Sequence, residues 1–368
     1  MIAPALPSPL REALVDPAAL ATVDLTAWNV LLPFLHHHRV LGRVAITARE
    51  AGIEDHLPAK VRERLTAARA EAAQHRRLTR WEIDRVHHAL AGLDVPILLL
   101  KGAAYLAADL PSCRGRLATD VDILVPRERL AEVERRLLER GWETEKHDAY
   151  DQRYYRQWMH ELPPLRHRTR GSVLDVHHTI TPPSGRLRPD SAAVLADSIP
   201  VEPPGMRVPN ASDLCLHCAV HLYQDGDFAG GLRDLTDLHD LLTHFAGRDA
   251  GFWRQLTGRA AHHGLERPLS HALRGCAAYL GTVVPPEAFE ALRKRGPSKA
   301  ASTTLDAVVR TAMLPRSDGE APSLAGAAHF ALYVRSHWLR MPPHLLTAHL
   351  ARKGWRRWKE REERREAG

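Results

Sequence analysis

Residues 96–125 read PILLLKGAAYLAADLPSCRGRLATDVDILV, and the fold turns on them. Two apolar runs, Ile97–Leu100 and Val121–Val125, are too short for ordinary helices and are bounded by turn residues, so both read as buried strands. AAYLAADL between them reads as one short helix. The second strand carries Asp120 and Asp122, and side chains two apart on a strand point to the same face. Two converging carboxylates on a buried strand need a counter-charge that apolar neighbours cannot supply. The expected answer is a divalent cation, Mg²⁺ with Mn²⁺ as a substitute, because such ions take hard oxygen ligands and sit between carboxylates and a substrate's phosphates.

A second stretch, SVLDVHHTI at 172–180, places Asp175 in a β-branched run that reads as another strand. A third carboxylate on a neighbouring strand would let two metal ions clamp an in-line phosphoryl displacement. By alternation His177 points with Asp175, where it would orient a ligand, accept a proton from an attacking hydroxyl, or serve only as a hydrogen-bonded structural histidine. Lys101 and Arg116 each adjoin a strand end, the place from which a cation can grip a phosphate.

Taken together, Lys101-Gly102 after a strand, Arg116 ahead of an Asp-Val-Asp strand, and Leu174-Asp175-Val176-His177 resemble the uncharacterised nucleotidyltransferase family of the polymerase-β-like superfamily. His38-Arg39-Val40 and HCAVHLYQDGDFAGGLRDLTDLHDLL at 217–242 carry the same resemblance, which spans most of the chain. It implies an α+β fold: a small mixed-sheet nucleotidyltransferase core flanked by N-terminal helices and a C-terminal helical domain. It further implies Asp120, Asp122 and Asp175 as metal ligands and, with His177, as the catalytic set, and Lys101, Gly102 and Arg116 at the nucleotide. The reaction implied is transfer of an NMP from an NTP, taken to be ATP, to a hydroxyl acceptor with release of pyrophosphate. The wider superfamily opens with Gly-Ser closer to its paired acids than Lys101-Gly102 stands here, a departure that bears on the phosphate grip.

Three other classes fit parts of the pattern. A metal-dependent glycosyltransferase also uses Asp-x-Asp but needs no third acid on another strand, a kinase of the same fold would move the γ-phosphate, and a regulatory protein would bind nucleotide without turnover. The cysteine and histidine cluster Cys215, His217, Cys218 and His221 lacks the second Cys-x-x-Cys of a closed zinc site, and His217 lacks the glutamate that a zinc-protease helix carries next to it. Core packing is the expectation there.

The chain has 368 residues, of which 44% are hydrophobic and 26% charged, enough for two or three ordinary globular units. The division expected is an N-terminal helical segment over 1–95, the core over 96–205, a helical domain over 206–350 and a charged tail over 351–368. A net charge of +7 favours anionic partners. It is spread along the chain, with no compact basic stripe with interleaved aromatics outside 143–170 and the tail, so the expected acceptor is a small molecule or peptide and not long nucleic acid. Four scattered cysteines do not make a disulfide framework, and no run is long and apolar enough to span a bilayer. With no signal-peptide pattern at the start, the cytoplasm is the expected location.

Helical periodicity predicts a lead-in helix burying Leu65, Leu78, Ile83, Val86 and Leu90, and a helix after Pro126 burying Leu130, Val133, Leu137 and Leu138 before Gly141 closes it. Thr169-Arg170-Gly171 predicts the turn of a hairpin that leads into the Asp175 strand, and 181–189 and 200–210 read as loops or a domain boundary. Asn210 or Ser212 is the candidate cap of the next helix, Leu232, Leu235, Leu238 and Leu242 form a later stripe, and Arg233 with Asp237 has the spacing of a helix-surface ion pair.

Overall fold

Strand β1, Ile97–Leu100, is buried at every residue, as a central strand of four consecutive aliphatic side chains must be. The computed structural model describes residues 8–145, 148–225, 228, 231–313, 324–343, 345–347, 355 and 362. In chain order the other strands are β2 (Asp120–Leu124), β3 (Trp142–Thr144), β4 (Leu165–His167), β5 (Val173–His177), β6 (Ile199–Val201) and β7 (Met206–Val208). They form one seven-stranded mixed sheet in the order β3-β4-β5-β2-β1-β7-β6, so the fold is α+β with helices on both flanks of the chain. Strand β2 runs antiparallel to β1 and parallel to β5, while β7 runs parallel to β1.

The hairpin expected at Thr169-Arg170-Gly171 joins β4 to β5, with Gly171 in the left-handed region at φ 69°. Arg170 anchors that turn: its guanidinium bonds Glu82 of the 32-residue helix Ala59–Leu90 at 2.7 and 3.1 Å and lies 4.7 Å from the centre of the Trp142 ring. This explains one departure from the expected helix face. Leu65, Ile83, Val86 and Leu90 are buried, but Leu78 is 52% exposed, because the buried stripe passes instead through Ala68, Ala72, Thr79 and the paired Glu82. On the helix Leu130–Glu139, Val133 and Leu137 are buried and Leu138 is 43% exposed, so two leucines in sequence divide between core and solvent.

The stretch 200–210, expected as a loop, is mostly a hairpin. Strands β6 and β7 pair antiparallel, Gly205 at φ 90° turns the chain, and Met206 and Val208 point into the core. Pro200 is tolerated because β6 is the sheet edge, where a missing N–H leaves no ladder bond unmade. Asn210 then caps the helix Ala211–Val220, its side chain accepting from the Asp213 amide. Leu232, Leu235, Leu238 and Leu242 are wholly buried on the helix Gly231–Ala246.

One continuous apolar cluster runs from Leu10 through the strands to Leu332, so helices before and after the sheet share its core. All four cysteines are free and buried. Among the described residues no helix is long and apolar enough to cross a membrane. The charged tail lies outside the described residues apart from Trp355 and Glu362.

Candidate active site

The site begins at the junction of β2 and β5. Because these strands are parallel and in register, Asp122 lies directly beside Asp175, and Leu124 beside His177. Asp120 occupies the exposed start of β2 and Asp122 its buried interior, both on one face. The three aspartates and His177 are thus brought to one end and one side of the sheet, as their spacing implied.

Lys101 reaches the same place from β1. It follows Leu100, whose register partner is Asp122, and it opens the helix Lys101–Ala107 with φ 44°. A non-glycine residue held in the left-handed region costs roughly 1–3 kcal/mol and persists where the surroundings fix it. Here the fixing contact is a 2.7 Å hydrogen bond from Lys101 Nζ to Asp122 Oδ1. His177 Nε2 stands 3.1 Å from the same oxygen. Burial alone would push the Asp122 carboxyl up, yet the ammonium and the imidazole hold it well below the usual carboxylate range. For His177, desolvation is outweighed by the hydrogen bond to Asp122 and the charge of the nearby Glu161, so it is raised in turn.

Asp175 is the opposite case. Its Oδ1 is buried with no hydrogen-bond partner, and burial, then the charges of Asp122 and Glu161, push its carboxyl up to about 7. A buried, uncompensated oxygen beside an ionised carboxylate is an arrangement that a hard cation relieves, so the donor set Asp120, Asp122 and Asp175 fits Mg²⁺ in its chemistry.

Glu161 is the site residue that sequence reasoning missed. It sits in an isolated bridge opposite His177, with Oε2 3.5 Å from His177 Nε2 and 4.0 Å from His160 Nε2. Ligating atoms of His160, Glu161 and His177 all lie within 4.8 Å of one another. Burial, followed by the charges of His177 and Lys101, drives His160 well below the ordinary histidine value, so it is a neutral ring at the edge of the site. His217, fully buried and also depressed by desolvation and then by Lys101, flanks the site from the helix Ala211–Val220. Nothing in the local pattern around Glu161 marks it, because it lies outside any regular strand; only the three-dimensional pairing with β5 does.

Arg116 is placed differently from Lys101. Its Nε donates to Asp237 Oδ2 at 2.8 Å, both side chains are nearly buried, and the guanidinium lies 5.7 Å from the centre of the Tyr105 ring. Gly102 answers it, since a Cβ at that position would collide with the Arg116 guanidinium. Asp237 belongs to a row of three acids, Asp234, Asp237 and Asp240, spaced three apart along one buried face of the helix Gly231–Ala246. Asp234 takes Arg233 and His221, Asp237 takes Arg116, and Asp240 takes Arg43 in a two-pronged pair. The expected Arg233–Asp237 ion pair therefore does not form. A cation from another element fits Asp237 better, and Arg233 turns to its neighbour. Arg43 comes from the helix Leu41–Glu50, whose Gly42 touches Gly115 so closely that a Cβ on either would strike the other's backbone.

The zinc reading of Cys215, His217, Cys218 and His221 finds no support: Cys218 Sγ lies 3.3 Å from the Asp234 carbonyl and donates to it, and His221 pairs with Asp234. These residues pack the acid-bearing helix against its neighbour.

Comparison with known proteins adds one match. No curated protein and no solved structure matches the chain. The family model described as "Uncharacterised nucleotidyltransferase" matches residues 24–281, a span that holds Arg43, every residue of the Asp122 and Asp175 site and the acid row that locks Arg116. The chain belongs to this nucleotidyltransferase family.

Proposed function

We propose that the protein is a metal-dependent nucleotidyltransferase that moves the NMP of an NTP, ATP in the first instance, to a hydroxyl of a small-molecule or peptide acceptor in the cytoplasm, releasing pyrophosphate. The observation that carries this reading is the in-register pair Asp122 and Asp175, one carboxyl held ionised and the other with a buried oxygen that has no partner. Asp120, Asp122 and Asp175 would hold Mg²⁺, with Mn²⁺ as a substitute. A cation there would neutralise phosphate charge and make a hydroxyl a better nucleophile.

The chain's own residues do the rest by position and charge. Lys101, bonded to Asp122 and with its side chain 21% exposed, serves the phosphates as a point charge. His177 has Nε2 committed to Asp122 and Glu161 and is 1% exposed, so it acts as a positioning residue for those carboxylates and does not meet an incoming hydroxyl. Arg116 braces Gly102, and through it the turn that carries Lys101. Such a site works by orientation and preorganised charge and needs no covalent nucleophile.

The test uses NTP labelled at the α or the γ phosphate, with Mg²⁺ and candidate acceptors. Label is expected on the acceptor from the α-labelled pool alone, together with pyrophosphate. Transfer of γ label would make the protein a kinase, and transfer that survives chelation of divalent ions would remove the metal from the scheme.

A further inference from the structure

Away from the aspartates, a cavity of about 700 Å³ opens between the helices Glu266–Leu280, Lys299–Met313 and Leu324–Arg340. That volume lies within the range of ligand pockets. Its floor is apolar, with Leu305, Val308 and Leu332 among the lining side chains. Its formal charges are of one sign among the described residues. Arg186, Arg267 and Arg335 all line it, and no described acidic side chain does.

None of these arginines is neutralised by a carboxylate among the described residues. Arg335 donates to the Tyr223 carbonyl, Arg267 lies 3.4 Å from the Arg295 carbonyl, and Arg186 stacks 4.5 Å from the centre of the Trp338 ring. Burial pushes the Arg335 guanidinium down, and desolvation, then Arg335, Arg274 and Arg267, press the lining His271 down to about 4. A second observation points inward: Gln224 is 1% exposed, lines the cavity, and has neither its amide nitrogen nor its oxygen hydrogen-bonded. A buried amide with neither end hydrogen-bonded is rare in a finished core, and it marks a place where a missing group belongs.

We propose that this cavity is a second small-molecule site, which takes an organic anion, a phosphate ester or carboxylate, carried on an aromatic or alkyl body. The acid head meets Arg335 and Arg267 with Gln224 beside them, and the body lies on the apolar floor. Much of the wall, from Pro297 to Leu339, falls beyond the residues matched by the family model. It does not depend on the transfer reaction proposed above.

The test is calorimetric titration of the whole protein with 2-naphthyl phosphate, and separately with 2-naphthol and inorganic phosphate. Naphthyl phosphate is expected to saturate one site at least about tenfold more tightly than either half, the contribution of one charge-assisted hydrogen bond. Arg335→Met is expected to erase that advantage. It strands no carboxylate, so the variant should melt near the parent protein. Ala301→Trp, from an exposed position on the rim, should block binding independently and keeps the test open if Arg335→Met misfolds. Equal affinity for naphthol, or binding unchanged in Ala301→Trp, would overturn the proposal.

Discussion

Replacing Arg116 by Met should reveal whether this arginine locks the fold or grips the substrate. Its guanidinium is 10% exposed and Asp237 6% exposed, so the pair is shielded from solvent. Asp237 is already pushed up by burial despite Arg116, with Asp234 adding to the shift. Taking the arginine away strands a buried carboxylate, and breaking such a pair on one side costs roughly 3–5 kcal/mol. At about 2 °C per kcal/mol for a chain of this size, melting near neutral pH should fall by roughly 6–10 °C. Arg116→Met/Asp237→Leu removes both charges and should recover all but about 1 kcal/mol, since an apolar pair of similar volume replaces the ions. The assay is denaturant unfolding of the parent, both single variants and the double variant, followed by NTP and nucleoside affinity in the double variant. If the single variant loses less than about 1 kcal/mol and the coupling is near zero, the pair behaves as a surface ion pair and the locking role is refuted. A folded double variant that binds nucleoside normally but NTP poorly would assign Arg116 to the phosphates as well.

Asp175→Asn should abolish transfer while raising the melting temperature of the metal-free protein near pH 8. The folded carboxyl titrates near 7, above its unfolded value, so its ionisation withdraws stability as pH rises between about 4 and 7, and the amide removes that penalty. An unchanged or lower melting point at pH 8 would contradict the uncompensated charge. Glu161→Gln should lower turnover by about 10- to 100-fold with the fold intact, as loss of a group supporting metal ligands does; a variant as active as the parent would remove Glu161 from the site. Asp213 is held below its ordinary value, burial being outweighed by His263 and Arg259 at 2.7 Å, so it adds stability above about pH 4 that is lost as pH falls further. Asp213→Asn should flatten the acid limb of the stability curve measured by denaturant unfolding, and an unchanged limb would refute that assignment.

The parts of the fold legible in sequence were those where one face decides the matter. Strands β1 and β2 are short aliphatic runs with turn signals on both sides, and two-residue alternation carries Asp120, Asp122, Asp175 and His177 to a shared face without knowledge of the partners. The hairpin β6–β7 was hidden because its prolines, Pro200, Pro203 and Pro204, read as loop, and only its edge position lets a proline stay in a ladder. Leu78 and Leu138 misled for the complementary reason: hydrophobicity alone does not say which of two faces meets the core. Glu161, Asp237 and Asp240 were beyond reach, because what defines them is a partner distant in the chain. Their partners are His177, Arg116 and Arg43.

That row changes how Arg116 is understood. A carboxylate every third residue on a helix puts successive acids on one side, and here each meets a partner from a different place: His221 just before the helix, Arg116 ahead of β2, Arg43 on a helix ahead of the sheet. The helix Gly231–Ala246 therefore clasps both ends of the segment that delivers the active-site strands, and Gly42 and Gly115 permit the close approach that lets Arg43 and Arg116 reach neighbouring turns of it. Arg116 in turn fills the space beside Gly102, next to Lys101 in its strained conformation on Asp122. A physical chain thus runs from Asp237 through Arg116 and Gly102 to the lysine at the candidate metal ligand. The Lys-Gly and Arg positions that looked like a phosphate grip in sequence are two links of that chain, of which the lysine alone is open to solvent enough to meet a nucleotide.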